Sequence, residues 1–333
     1  MIKHSKVILN MENSFKTPVC IFLFRRSETL PQIFSVLRKV KPKKVYLRSD
    51  EGRTDKEKAD VAKVRELALS LIDWDCEIVK DFATVNRGVY KNIGLGAMEI
   101  FDKEEQCIFI EDDNLPNESF FSYCEQMLDY YKNDDKTLLV CGTNYGGDRF
   151  IRCKTDCFRI KALLPCGWAS WSSKFKKYYP LLLEDVDSPQ FKKTFLKKYK
   201  KKALGKQQLK SIMYERNKYL KEKSFNSWDF HLIESVMMND LYVISPKVNL
   251  IRNIGVDTLS SHNQVNFKRY KKNVMTKRFC EVPTFAFNHK LNPAIDEKEN
   301  IKYQKFCDNM ICRPLKLRIK EHLVSLRNFI FRK

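Results

Sequence analysis

The chain has 333 residues, of which 43% are hydrophobic and 31% are charged, a composition typical of a globular protein rather than a disordered or fibrous one. Only 10 glycines are present, and neither a GxGxxG pattern nor a Walker A phosphate loop occurs, which excludes the usual dinucleotide-binding and P-loop sites. The 62 basic and 41 acidic residues leave a net charge of +21, which predicts an anionic partner: nucleic acid, an acidic membrane surface or a phosphorylated ligand.

The cysteine pattern and the lack of long apolar runs bear on the compartment. The 11 cysteines show no CxxC spacing, which favours reduced core thiols over a disulfide framework or a zinc site. No apolar run is as long as the roughly 18 residues of a membrane-spanning helix, and the first residues lack the apolar stretch of a signal peptide. We therefore expect a cytoplasmic protein.

Strands and helices are predicted to alternate in the first half of the chain, after a lead-in at residues 1–16. Strands are predicted at 19–24, 44–47, 76–79, 106–110 and 137–141. Helices are predicted at 27–40 (with Ser27 as its N-cap), 55–72, 88–104 and 117–131. Unalternated apolar strands separated by helices predict an α/β fold with a mostly parallel sheet covered by helices on both faces. In such sheets ligands bind beyond the carboxyl ends of the strands.

The pattern changes after residue 150. Residues 191–223 hold 13 Lys or Arg against two Glu, which predicts a basic helical insertion at about 180–225. A further helix is predicted at 225–240, followed by a short strand at 242–244.

Three consecutive carboxylates, Glu111, Asp112 and Asp113, follow a predicted strand. In extended backbone the first and the third project to one face and Asp112 to the other. Two neighbouring carboxylates repel unless a cation or a proton lies between them, and hard oxygen ligands suit Mg²⁺ or Mn²⁺. Asp112, facing away, would then be placed to hydrogen-bond a ribose. The alternative is an acidic turn that caps the helix beginning near Asn117.

Seven segments occur along the chain in the order PVCIFLFRRSETL, LRSDEGR, NRGVYKNIGLGA, IFIEDDNLPNESFFSYCEQMLDYY, GWASWSSKF, SWDFHLIESVMMND and NIGVDTLSSH. In this order they resemble the GT-A-fold nucleotide-diphospho-sugar glycosyltransferases. The chain is most similar to the bacterial group found in surface-polysaccharide gene clusters, related to the family-2 and N-acetylglucosaminyltransferase-I-like enzymes. The resemblance covers residues 17–262. One departure is Arg25-Arg26-Ser27, where the group often has Asn-Arg-Pro.

This resemblance implies a Rossmann-like GT-A catalytic domain over residues 17–265 and a basic C-terminal extension over residues 266–333. It also implies a metal-dependent and inverting transfer of a sugar from a nucleoside-diphosphate sugar, with UDP as the expected nucleotide. The acceptor would be a glycan or a lipid-linked glycan in bacterial surface polysaccharide synthesis. The expected cofactor is Mn²⁺ or Mg²⁺.

The same resemblance implies roles for individual residues around the nucleotide and the metal. Asp113 would bind the metal directly, and Glu111 would support its shell through water. His262 would be a further ligand, since imidazole can ligate Mn²⁺. Asp112 would contact the ribose and Asp50 the base. The basic residues near the nucleotide would be Arg26, Arg87 and Lys91. The alternative for these three, and for His262, is an ordinary position on the solvated surface.

The resemblance also implies a sugar-facing loop and a base. Gly167-Trp168-Ala169-Ser170-Trp171 matches the loop that faces the donor sugar and the acceptor, and Trp168 and Trp228 would offer aromatic faces to a sugar. The alternative for the tryptophans is core packing. Asp229 matches the general base that deprotonates the acceptor hydroxyl. Its alternative is an acidic residue that stabilises the first turn of a helix.

Two other functions remain open from the sequence. Nucleotidyl transfer to a sugar phosphate is the first, although that class usually shows a glycine-rich loop with a lysine after the first strand, where this chain has Phe24-Arg25-Arg26-Ser27. A basic nucleic-acid-binding protein is the second. The basic residues are mostly lysines in runs without a recognisable reader motif, so we expect no nucleic-acid partner.

The tail at residues 313–333 carries seven Lys or Arg and one Glu, and its apolar residues fall on one face of a helix. Such a segment is suited to lie on an anionic inner leaflet, which would make the protein a peripheral membrane protein. The alternative is a helix that packs on the catalytic domain. Both alternatives stay open here.

Overall fold

The computed structural model describes residues 15–255 and 281–314. Its strands are β1 Val19–Leu23, β2 Lys44–Ser49, β3 Glu77–Phe82, β4 Gln106–Glu111, β5 Asn114–Pro116, β6 Thr137–Cys141, β7 Cys157–Ile160, β8 Trp168–Trp171, β9 Tyr242–Pro246 and β10 Ile251–Asn253. Its helices are α1 Leu30–Val40, α2 Asp55–Ser70, α3 Gly96–Phe101, α4 Glu118–Tyr131, α5 Ser172–Tyr178, α6 Pro189–Lys197, α7 Lys202–Glu222, α8 Asp229–Met238 and α9 Glu297–Ile311. A π-helical turn at Tyr90–Leu95 leads into α3, and a 3₁₀ turn at Glu184–Asp187 precedes α6.

One sheet holds eight strands in the order β3-β2-β1-β4-β8-β6-β9-β7. β3, β2, β1 and β4 are mutually parallel, whereas β8 runs antiparallel to both β4 and β6, and β7 runs antiparallel to β9. Successive side chains of β1 alternate between two buried clusters: Cys20 and Phe22 belong to one, and Val19, Ile21 and Leu23 to the other. A strand can be apolar throughout only when both faces are covered. The predicted α/β fold with a mostly parallel sheet is confirmed.

The segment predicted as a sugar-facing loop is a central strand. β8 lies between β4 and β6, and all four of its residues are buried. Trp168 points into one core cluster while Ala169 and Trp171 belong to the other, as the period-two alternation of a strand requires. A four-residue strand without an apolar run around it lacks the pattern by which the other strands were predicted.

The largest differences from the predicted helices occur at three places. α1 begins after Thr29 rather than Ser27, and the Thr29 hydroxyl donates to the backbone carbonyls of Arg26 and Asp112 instead of capping an amide. The helix expected from residue 225 begins at Asp229. The predicted 88–104 helix is divided between the π-helical turn and α3.

Part of the predicted C-terminal extension packs on the sheet. Helix α9 places Tyr303 fully buried against Phe158 of β7, with ring centroids 4.2 Å apart, and the Tyr303 hydroxyl lies 2.9 Å from the Ser245 hydroxyl. The described residues 281–314 therefore share the core of the main domain. None of the described helices is long and apolar enough to cross a membrane. Residues 1–14 of the predicted lead-in and the tail beyond residue 314 lie outside the described residues.

Gly167 occupies a position that requires glycine on two counts. Its φ is +62°, and a Cβ atom there would lie 2.7 Å from the Ile251 side chain. Gly167→Ala combines a left-handed backbone with overpacking, so we expect it to lower the free energy of unfolding by about 2–4 kcal/mol. Urea unfolding measures this. The matched control is Gly88→Ala, which has a φ of +76° but open space around its Cβ position, and we expect about half that loss there. Equal losses would show that the contact with Ile251 is immaterial.

Candidate functional site

The carboxylates after β4 lie in a turn rather than in extended backbone. The strand ends at Glu111, and Arg26 from the loop after β1 reaches both of the next two carboxylates. Its Nη1 lies 3.1 Å from Asp113 Oδ2 and 3.5 Å from Asp112 Oδ1. The expectation that Asp112 faces away from Asp113 is therefore wrong, because the chain turns immediately after β4. Asp112 also accepts a hydrogen bond of 2.7 Å from the Phe24 amide, which fixes the β1 loop.

The short antiparallel sheet of β5 and β10 completes this corner of the site. It returns the chain to the acidic turn, where the Ile254 amide donates to the Asp113 carbonyl at 2.8 Å. The Arg26 Nη2 donates to the Gly255 carbonyl at 2.9 Å. Arg26 therefore joins three segments that are far apart in sequence: the β1 loop, the turn after β4 and the end of β10.

The carboxylates of Glu111, Asp112 and Asp113 lie near one described cation, Arg26, which cannot balance all of their negative charge. Burial, followed by the charges of Asp113 and Asp112, holds the pKa of Glu111 well above its usual range, while Arg26 opposes the shift. Burial likewise raises the pKa of Asp112 to about 6, again against the effect of Arg26. Like charges held together in a buried place are relieved by a bound cation, so the donor chemistry of Glu111 and Asp113 fits Mn²⁺ or Mg²⁺.

Two carboxylates alone do not complete a coordination shell. Within residues 15–255 and 281–314 there is no group of three His, Cys, Asp or Glu side chains placed to hold a metal ion. A divalent ion at Glu111 and Asp113 would need further oxygen ligands from a bound molecule, which is the usual way Mg²⁺ is held beside phosphates. The predicted ligand His262 lies outside the described residues.

Asp229 opens α8 next to this acidic turn. Its negative charge contributes to the raised pKa of Glu111, which places the two carboxylates in one electrostatic neighbourhood. The Ser227 hydroxyl donates to Asp229 Oδ1. The side chain is partly exposed and lines a groove described below. Asp229 thus lies at the start of a helix, in the electrostatic neighbourhood of the predicted metal ligands, but it is not one of those ligands. This arrangement leaves its carboxylate suited to act as a base.

Glu215 of α7 holds the loop that carries Asp229, and sequence analysis missed it. It is 3% exposed, and its Oε2 accepts hydrogen bonds from the amides of Asn226 at 2.7 Å and Ser227 at 3.3 Å. Burial raises its pKa. A signal existed in the sequence, because Gln208, Ile212 and Glu215 follow one another at helical spacing on the buried face of α7.

Asp50 is a structural residue in this arrangement rather than a base-binding one. Its carboxylate is 6% exposed and accepts from four donors: the amides of Glu51, Arg87 and Gly88 at 2.8, 2.6 and 2.9 Å, and the Asn86 side chain at 3.3 Å. These bonds tie the loop after β2 to the loop after β3. The predicted contact with a nucleotide base is not supported, since the lone pairs it would need are already used.

Arg87 and Lys91 lie on the wall of the groove. Arg87 forms a two-point ion pair with Asp81, at 2.6 and 3.1 Å, and this pairing raises the pKa of its guanidinium. Lys91 is exposed, and within the described part of the chain no carboxylate pairs with it. Lys91 is therefore the better placed of the two to meet an anionic ligand.

The tryptophans predicted to face a sugar are core residues. Trp168 is 2% exposed, and its ring stacks on Phe109 at 4.1 Å and on Trp228 at 5.1 Å. Trp228 is 5% exposed. Neither ring offers a face to a ligand, so the expectation of an aromatic platform is not supported. Gly167 serves the packing instead: its amide donates to the Asn114 side chain at 2.8 Å and fixes the acidic turn from behind.

His231, two residues after Asp229, is a second residue that sequence analysis missed. Its ring is fully buried among Tyr90, Tyr179 and Phe225, with centroids 4.5–5.4 Å away. Neither ring nitrogen has a hydrogen-bond partner among the described residues. Burial lowers its pKa to about 3, so the imidazole is neutral at physiological pH and acts as an aromatic core residue.

A groove of about 1660 Å³ leads from the end of β3 to α7, with Asp229 in its lining. Eight of its lining residues are basic and three are acidic. One wall is the loop after β3, and the other is the exposed face of α7. The basic insertion predicted from the sequence thus lies beside the candidate site rather than on a remote surface.

Glu234 of α8 makes stability depend on pH. Burial, followed by the charge of Asp185, raises its pKa to about 7. The unfolded chain loses this proton first as pH rises, so stability falls between about pH 4.5 and 7 and stays lower above. We expect Glu234→Gln to raise the free energy of unfolding at pH 8 by up to about 3 kcal/mol, and by much less at pH 5. Urea unfolding at both values checks this, and an equal gain at both would contradict it.

Comparisons with known proteins give structural matches only. No family model and no curated protein matches the chain. Mouse xyloside xylosyltransferase 1 is 11% identical, over 82% of this chain and 98% of its own, with a TM-score of 0.37. A mannosyltransferase from Pyrobaculum calidifontis, solved with GDP-Man and Mn²⁺, is 12% identical over 66% and 69%, with a TM-score of 0.36. A UDP-glucose pyrophosphorylase is 10% identical over 77% and 99%, with a TM-score of 0.35. These TM-scores are low, so the functional proposal rests on the site itself.

Proposed function

We propose that the chain is a metal-dependent, inverting glycosyltransferase that moves a sugar from a nucleoside-diphosphate sugar to a glycan or lipid-linked acceptor. The observation that supports it is an acidic pair and a cation at the carboxyl ends of β1 and β4, namely Glu111, Asp113 and Arg26. The separate carboxylate of Asp229, at the start of α8, is close enough for its charge to act on Glu111. An acidic pair suited to a divalent ion, next to a separate carboxylate, matches the needs of a hydroxyl attack that expels a diphosphate.

Each residue has a definite task in this proposal. Glu111 and Asp113 would hold Mn²⁺ or Mg²⁺, which, when bound, supplies Lewis-acid neutralisation of the departing diphosphate. Arg26 lies beside them and offers a guanidinium to the same phosphate oxygens. Asp229 accepts the proton of the acceptor hydroxyl as that oxygen bonds to the anomeric carbon, and the bond from that carbon to the diphosphate oxygen breaks. Glu215 and Ser227 keep Asp229 in place.

The finer parts of the proposal come from the sequence. UDP is the proposed nucleotide, and bacterial surface polysaccharide synthesis is the proposed process. The proposed location is the cytoplasm, with peripheral attachment to an anionic inner leaflet through the tail at 313–333. Flotation with anionic liposomes tests the attachment: full-length protein should float and a 1–312 truncation should not.

A donor-hydrolysis screen tests the central proposal. UDP-, GDP- and dTDP-sugars are incubated with the protein, with and without Mn²⁺, and the release of nucleoside diphosphate and free sugar is measured. Metal-dependent hydrolysis of one donor class supports the proposal. If nucleoside triphosphate forms from the same donors when pyrophosphate is added, the reaction is nucleotidyl transfer instead. Full activity in the presence of EDTA would show that the reaction does not need a metal ion.

A further inference from the structure

The groove beside Asp229 has an uneven distribution of charge. Arg53 and Arg87, on the wall near β3, are already paired with Glu57 and Asp81. On the opposite wall, Lys206 and Lys210 are exposed on α7, and no carboxylate pairs with either of them in the described part of the chain. Lys91 on the wall near β3 is also exposed and without a carboxylate partner among the described residues, so the uncompensated charge is greater on the α7 wall, with two such lysines, than on the opposite wall, with one.

The α7 wall presents its side chains at regular intervals. Lys206, Lys210, Tyr214 and Lys218 are four residues apart, so they form one row along the helix with about 6 Å between successive members. Lys218 is already paired with Glu222 at 3.6 Å, so Lys206 and Lys210 supply the available charge of the row. Tyr214 is 61% exposed although it is a large aromatic residue, and it lies within the row of lysines. Aromatic faces pack against the apolar faces of sugars, and ammonium groups bind phosphate or carboxylate. A row that mixes the two suits a chain in which sugars and anionic groups alternate.

We propose that the α7 wall of the groove binds the acceptor, and that this acceptor is a polyanionic glycan carrying phosphate or carboxylate groups along its chain. The inference rests on the proposed function, since it needs Asp229 to receive an acceptor hydroxyl. Asp229 lines the same groove as Lys210 and Tyr214, so a chain lying along α7 passes the proposed base. The positive charge of the groove also attracts such a chain from a distance, and this attraction is strongest at low salt concentration.

The test compares two pairs of lysines of equal charge and spacing. The variant is Lys206→Gln/Lys210→Gln on the groove wall. The control is Lys193→Gln/Lys197→Gln, which are exposed and four residues apart on α6 and do not line the groove. The probes are fluorescently labelled inorganic polyphosphate, dextran sulfate, neutral dextran and a single-stranded oligonucleotide of matching charge. Affinity is measured by anisotropy at several salt concentrations, and UDP with Mn²⁺ is titrated separately.

The expected result is about a tenfold loss of polyphosphate and dextran sulfate affinity in the groove variant, with a salt slope lower by about 1–2. The control and the UDP affinity of both variants should be unchanged. Three results would overturn the proposal: equal losses in the two variants, a parallel loss of UDP affinity, or an oligonucleotide bound more tightly than polyphosphate through the same lysines. Donor hydrolysis without acceptor is measured on the same samples. If no donor is hydrolysed but the groove variant loses polyanion affinity as expected, the proposed function fails while the assignment of the groove as a binding site for polyanions stands.

Discussion

Asp113→Asn is expected to lower sugar transfer and donor hydrolysis by about 10³-fold, because neutralisation of a leaving diphosphate by a metal is worth several kcal/mol. The variant removes one of the two carboxylates proposed to hold the ion. Asparagine keeps the size of the side chain, and the change removes one charge from a crowded acidic cluster, so thermal stability should change little.

Mn²⁺ binding gives a readout of Asp113 that does not depend on activity. Free Mn²⁺ is titrated by electron paramagnetic resonance with UDP present, and Asp113→Asn should weaken binding at least tenfold. Asp129→Asn, on the exposed face of α4, is the control and should bind Mn²⁺ as the wild type does. Because the pKa of Glu111 lies above its usual range, wild-type Mn²⁺ affinity should also fall as the pH is lowered, and the fall should begin at a higher pH than for an ordinary carboxylate. Unchanged Mn²⁺ binding in the variant would show that Asp113 is not a metal ligand.

Asp229→Asn is expected to lower transfer by about 10²–10⁴-fold while UDP affinity stays the same, since a positioned base contributes about this much to a rate. The amide cannot accept the proton of the acceptor hydroxyl. Transfer is measured at saturating donor, and UDP binding is measured by calorimetry. Weaker UDP binding, or a loss of transfer rate of less than about tenfold, would show that Asp229 is a structural residue rather than the base.

Ser227→Ala supplies a graded comparison for Asp229. It removes only the hydroxyl that donates to Asp229 Oδ1 and leaves the carboxylate. We expect only about a tenfold loss of transfer, because the base itself is retained and only the hydrogen bond that orients it is removed. A loss as large as that of Asp229→Asn would show that the geometry of this loop, rather than the carboxylate, limits the rate.

Much of the first half of the fold was predictable from local sequence. The strand predicted at 137–141 has the observed bounds, and the strand at 106–110 is one residue longer. These strands are buried on both faces, so their unalternated apolar sequence is a strong local signal. Ser27 is the counter-example: a good capping residue by type, it is displaced by Thr29, whose hydroxyl reaches the carbonyl of Asp112.

The site residues divide in a similar way. Glu111 and Asp113 were singled out because carboxylates at the end of a strand are visible in sequence, and Asp229 because the resemblance to a known family implied its role. The sequence does not show whether a carboxylate is available to a ligand, because that depends on hydrogen-bond donors from other segments of the chain. Asp50 and Glu215 show this: each accepts amides from a distant loop, and in each case the carboxylate is used in holding the loop.

The sequence by itself determined the sheet-and-helix alternation, the run of three carboxylates at the end of β4 and the excess of lysine on α7, since each follows from residue types within one short segment. Tertiary structure decided the rest. It inserted β8 between β4 and β6, which turned an expected sugar-facing tryptophan into a core residue. It brought α7 against the loop after β3, more than 100 residues earlier in the chain, and so made a basic helix into the wall of a groove that reaches Asp229. Such contacts depend on which surfaces are buried together, and no local pattern of residues records that.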